Sequence, residues 1–168
     1  MLSLCESMIP RVKFHDLITV AVTTISPCPL DAALQEILNQ GLARVLEEVQ
    51  LMAECTREGV LAMGLSLVSS APASALPAFY PPPGIRATEI IQTLQERFGI
   101  IVAGGQGELK GKILRIGHLG YFDLVDVLSV LSALEICLIE LGSKAALGTG
   151  VSAAMRRIAR STSPALML

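Results

Sequence analysis

Gly104-Gly105-Gln106-Gly107-Glu108-Leu109-Lys110-Gly111-Lys112-Ile113-Leu114-Arg115-Ile116-Gly117-His118-Leu119-Gly120 is the stretch from which the fold is read. A glycine-rich loop runs into a short apolar segment that carries one arginine. A guanidinium cannot shed its charge and is costly to bury unpaired, so an anion is expected beside Arg115. Two sources stand open: a helix carboxylate such as Asp123 or Asp126, or the carboxylate of a ligand. The glycines do not form a phosphate loop. That motif needs Gly five residues before Gly111 and Ser or Thr after Lys112, where Gln106 and Ile113 stand. Gly105, Gly107 and Gly111 also miss the dinucleotide-binding spacing, and no helix follows them. A hairpin-like connection from Ala103 to Ile113 is expected, with glycine allowing a ligand or a neighbouring subunit to come close.

Upstream, apolar residues at helical spacing predict one helix over 30–40, through Leu30, Leu34, Ile37 and Leu38, ending at Asn39-Gln40-Gly41. A second is predicted over 42–63, with Leu42, Val45, Leu46, Val49, Met52 and Ala53 inside and Arg44, Glu47, Glu54 and Arg57 outside. Residues 75–80 read as a strand, and Pro81-Pro82-Pro83-Gly84 as a stiff loop. A helix over 88–98 ends at Gly99, and short strands are expected over 99–103 and 113–117. Asp123 can cap a helix running to about Leu141, with Leu124, Val127, Leu128, Leu131, Leu134 and Leu138 inside. Residues 151–160 read as a last helix with a basic, solvated end at Arg156, Arg157 and Arg160. This order describes an α/β chain, a two-layer α/β sandwich preceded by two helices.

The 168 residues allow one sizeable core. Net charge is −2 and no basic stripe with interleaved aromatics occurs, so nucleic acid is not an expected partner. Hydrophobic residues make up 52% and charged ones 17%, with a mean hydropathy of +0.60, which calls for either a membrane or a partner that covers apolar surface. No membrane span is expected. The uncharged stretch between Glu58 and Arg86 is broken by glycine, serine and proline, and the apolar stretch 124–141 holds Asp126, Glu135 and Glu140. No signal peptide is legible, and a cytoplasmic location is expected. Cys5, Cys28, Cys55 and Cys137 are scattered and expected reduced; with only His15 and His118 beside them, no metal site is expected. His118 has the type of a general base, but no nucleophile or acid stands near it in sequence, so a loop or core role competes.

The chain resembles the class V pyridoxal-phosphate aminotransferases of the serine–pyruvate and alanine–glyoxylate type. The residues that carry the likeness are Phe98-Gly99-Ile100-Ile101-Val102-Ala103-Gly104-Gly105-Gln106-Gly107, Leu109-Lys110-Gly111-Lys112 and Arg115-Ile116-Gly117-His118-Leu119-Gly120-Tyr121. Leu30-Asp31-Ala32-Ala33-Leu34 and Leu147-Gly148-Thr149-Gly150-Val151 extend it. The resemblance implies the family's C-terminal small domain over 65–154, bridging helices over 30–64, a tail over 155–168, and an unassigned segment over 1–29. It implies that Arg115 binds the α-carboxylate of an amino acid such as alanine or serine, or of an oxo acid such as glyoxylate or pyruvate. Pyridoxal phosphate is the cofactor of the intact family. Its imine lysine lies in a Ser-rich context ending Gln-Lys, and none of Lys13, Lys110, Lys112 and Lys144 has that context. The chain alone is therefore expected neither to bind the cofactor nor to be active, and no catalytic residue is assigned. A homo-oligomer or a complementary cofactor domain is the expected partner; the alternative is a non-catalytic interaction module that keeps the fold. Some relatives are described as soluble-hydrogenase subunits, although no metal spacing here supports redox chemistry.

Overall fold

Residues 27–161 are described by the computed structural model; Cys5, Lys13 and His15 lie outside them, as do most of the segment 1–29 and the end of the tail. The chain divides into two compact units after Leu42. In the first, helix α1 (Pro27–Gln40) ends where Gly41, at φ +86°, donates its N–H to the Ile37 carbonyl at 2.9 Å. Glycine reaches this left-handed conformation without a Cβ clash. Leu30, Leu34, Ile37 and Leu38 share the helical stripe expected from sequence, and all four are exposed.

The second unit starts with helix α2 (Leu42–Ala62). Its stripe is buried only in its second half: Leu42 and Leu46 are exposed, whereas Leu51, Met52, Cys55, Thr56 and Val60 are buried. Four very short strands follow: β1 (Ser66–Leu67), β2 (Ala78–Tyr80), β3 (Ala103–Gly104) and β4 (Leu114–Arg115). They form one antiparallel sheet in the order β1-β2-β4-β3. The strands are shorter than the sequence predicts, and Pro77 supplies one reason. The Ile116 N–H donates to the Pro77 carbonyl at 3.0 Å, but proline has no N–H to return the bond, so the regular ladder stops there. The pairing continues loosely to His118, whose N–H donates to the Ala75 carbonyl at 2.9 Å. Residues 99–102 were expected to be strand and are irregular instead; pairing begins only at Ala103.

Helix α3 (Ala87–Phe98) starts with the Arg86 N–H donating to Glu89 and ends in a left-handed Gly99. Helix α4 (Leu124–Glu140) has a reciprocal cap: Asp123 Oδ1 accepts from the N–H groups of Val125 and Asp126, and Asp126 Oδ2 accepts from the Asp123 N–H. The last helix is α5 (Thr149–Arg160). One core joins the second unit, with Leu51 and Val60 from α2, Phe79 and Leu114 from the sheet, Ile90 and Leu94 from α3, Leu131, Leu134 and Leu138 from α4, and Ala154 from α5. Helices and antiparallel sheet thus make the expected α/β arrangement.

Helices α2 and α5 approach too closely for side chains at their crossing. A Cβ on Gly150 would lie 2.3 Å from the Met63 methyl and 2.9 Å from the Gly59 carbonyl, and one on Gly59 would lie 2.7 Å from Leu131. Overpacking of this kind costs roughly 1–3 kcal/mol. Gly150→Ala is expected to lower unfolding free energy by about that amount in a urea titration.

Candidate functional site

Arg115 occupies the sheet face turned away from the core. Side chains alternate along a strand, so burial of Leu114, Ile116 and His118 directs Arg115 and Gly117 to the opposite side. Arg115 stands in register with Ala78 on one side and Ala103 on the other, two small neighbours that leave the guanidinium half-buried rather than covered. Its Nε donates to the Gly104 carbonyl at 2.8 Å. No carboxylate among the described residues comes within ion-pair distance of it. Asp123 and Asp126, the two candidates from sequence, are used by the cap of α4. The terminal nitrogens of Arg115 therefore remain as donors that a carboxylate can take in bidentate fashion.

The glycine loop beside Arg115 is folded tightly. A Cβ on Gly105 would fall 2.0 Å from the Leu109 carbonyl oxygen, and the short 3-10 turn Gly107–Leu109 reverses the chain. It is the expected hairpin connection, with Gly104 opposite Leu114.

His118 takes the core role: it lies in the irregular stretch after β4 but points inward. It is 2% exposed, and its Nε2 lies 3.1 Å from Oγ1 of the equally buried Thr56 on α2. Burial, with a smaller contribution from the Arg57 charge, pushes its pKa from 6.5 down to about 4. A neutral imidazole bonded to a hydroxyl, with no acid to orient it, is an anchor and not a general base. Thr56 carried no signal in the sequence beyond lying on a helix.

Two further polar groups hold the unit together. Glu135, 2% exposed on α4, accepts from the N–H of Gly148 at 2.8 Å and from the N–H of Gly150, satisfying donors that the first turn of α5 would otherwise leave orphaned. In the sequence it read only as a charge unsuited to a membrane. Arg157, expected to be solvated, pairs instead with Glu54 and approaches Glu58 at 3.9 Å. Burial raises the Glu54 pKa, but hydrogen bonds from Gln50 and Arg157 outweigh it and leave the carboxyl below its ordinary range.

A shallow concavity of about 530 Å³ lies along α2, lined by Gln50, Glu54, Arg57, Leu61, Leu67 and Pro72 among others; Arg115 does not line it. Cys55 and Cys137 are free and buried, and burial raises the Cys55 thiol to about 11, which makes it a poor nucleophile. Lys110, Lys112 and Lys144 are all exposed. An imine lysine needs a desolvated site and a partner for the pyridine nitrogen, so the described residues do not by themselves fit pyridoxal phosphate. Among the described residues no group of three potential metal ligands occurs, and no helix is long and apolar enough to cross a membrane.

No protein-family model matches the chain. It is 40% identical over 130 residues to the small subunit of a soluble hydrogenase from Synechococcus, covering 76% of this chain and 34% of that protein. It is 32% identical over 135 residues to serine–glyoxylate aminotransferase of Methylorubrum extorquens, covering 76% and 34% respectively. The fold is similar to that of pyridoxamine–pyruvate aminotransferase from Mesorhizobium loti, with a TM-score of 0.74 and 34% identity over 77% of this chain and 34% of that one. The chain thus spans about a third of the length of these relatives.

Because His118 is held neutral to about 4 when folded, the unfolded chain binds more protons between that pH and 6.5. Stability is expected to be full above about 6.5 and to fall as pH drops toward 4, by roughly 3 kcal/mol for a shift of this size. Urea titrations across that range should show the loss, and His118→Gln should flatten the curve relative to the parent chain.

Proposed function

As this chain is a partial relative of the class V pyridoxal-phosphate aminotransferases, spanning about a third of their length, we propose that it is their C-terminal small-domain portion and holds the substrate's carboxylate in such an enzyme. The observation that carries the proposal is Arg115, set on the open face of the sheet with its terminal nitrogens unclaimed by any described carboxylate. Residues 65–154 would form the small domain. The substrates would be a small amino acid such as alanine or serine and an oxo acid such as glyoxylate or pyruvate. When bound, pyridoxal phosphate would carry the amino group between them. Arg115 would fix the carboxylate, and Ala78 and Ala103 would leave room for it beside the sheet.

The chain alone would be inactive, since Lys110, Lys112 and Lys144 are exposed and offer the cofactor no desolvated amine, and Lys13 lacks the family's sequence context. Titration with pyruvate, followed by nuclear magnetic resonance, should give saturable shifts that are lost in Arg115→Leu. A charge-assisted bond contributes about 1.5–3 kcal/mol, so the affinity should fall roughly ten- to hundredfold. A cofactor absorbance band that disappears on replacing one of the four lysines would overturn the inactivity.

The exposed stripe of α1 favours a second feature of the reading: a partner surface, supplied by another copy or by a complementary cofactor domain. Leu38 is 72% exposed, and Leu30, Leu34 and Ile37 lie on the same helix. Burial of each large aliphatic side chain is worth roughly 1.5–3 kcal/mol. An interaction module without catalysis would use the same surface. Sedimentation is expected to show self-association of the purified chain; a well-folded monomer that binds no hydrophobic dye would contradict it.

A further inference from the structure

We propose that Thr56 and His118 are positioning residues for Arg115, acting through the strand between them; the inference rests on the reading of Arg115 as the carboxylate-binding residue. The backbone alone specifies this strand weakly. Regular pairing covers only Leu114 and Arg115, and beyond them the chain is held by single bonds to Pro77 and Ala75, the first of which cannot be returned. Leu114 and Ile116 pack into the core by apolar contact, which has no directional preference. The bond from His118 to Thr56 is directional, and it lies three residues from Arg115, on the buried side of the loosely paired stretch that continues β4. It fixes the rotation of the strand about its axis. That rotation decides whether Arg115 Nε meets the Gly104 carbonyl, and with Nε so engaged, a ligand carboxylate is met end-on by the two terminal nitrogens. Two anchors thus hold one guanidinium: a hydroxyl–imidazole bond below the sheet and a carbonyl beside it.

The test compares Thr56→Val, which keeps the shape and removes the hydroxyl, with Thr56→Ser, which keeps the hydroxyl. Two readouts are taken on the whole chain: the dissociation constant for pyruvate and the exchange rate of the Arg115 Nε proton, assigned by its loss in Arg115→Leu. Thr56→Val should weaken pyruvate binding about tenfold and speed Nε proton exchange at least tenfold, and Thr56→Ser should restore both. His118→Leu removes the bond from the other side and should produce the same two changes. The proposal is overturned if either variant lowers the melting temperature while affinity and proton exchange both stay at parent values. If the parent chain and Arg115→Leu bind pyruvate equally, the carboxylate reading fails, and the Nε proton exchange alone decides whether the clamp exists.

Discussion

The alternation of buried and open side chains from Leu114 to His118 governs the rest of the second unit. Leu114 and Ile116 must face the helices, because the core between sheet and helices is built on them, and His118 follows on the same side to meet Thr56. Arg115 must then face the other way. A slip of one residue would carry the guanidinium into an apolar interior with no carboxylate to meet it, a far larger penalty than any single lost contact. The same alternation that completes the core therefore presents the charge, and stability and site cannot be separated at this strand.

Closure of the second unit depends on polar groups placed with equal economy. Glu135 reaches from α4 to the backbone of α5, while Gly59 and Gly150 let α2 and α5 meet without side chains between them. Arg157 then ties the outer edge of that contact to Glu54. Among the described residues no buried side-chain nitrogen or oxygen is left without a partner. Buried polar groups so satisfied favour one arrangement of the helices over its near alternatives.

Legibility in the sequence followed the range of the interactions. Asp123 and Gly99 act within one helical turn, and both were readable as caps. Arg115 stood out because a lone charge among aliphatic residues is a local anomaly. Strand β1, two residues long, has no period to detect, and Pro77 curtailed β2 by a missing donor whose effect depends on which chain lies alongside. The burial of Thr56, Glu135 and Arg157 is decided by contacts distant along the chain, where helical spacing says nothing. The stripe of α2 misled for a related reason: its period is continuous, but nothing in the second unit covers its first turns.

The pairing of the first and last helices of the unit also bears on how the chain folds. The Cys55 thiol donates to the Ala154 carbonyl at 3.7 Å across a sequence separation of 99 residues. Contacts of such span are slow to form, because the intervening chain must be ordered before they return any free energy. During synthesis from the ribosome, the apolar second half of α2 emerges long before α5 exists to cover it. Cys55 and Gly59 thus stay open to solvent or to a chaperone until the final helix arrives, and a nascent chain halted before Gly148 leaves uncovered a surface that the finished one has hidden.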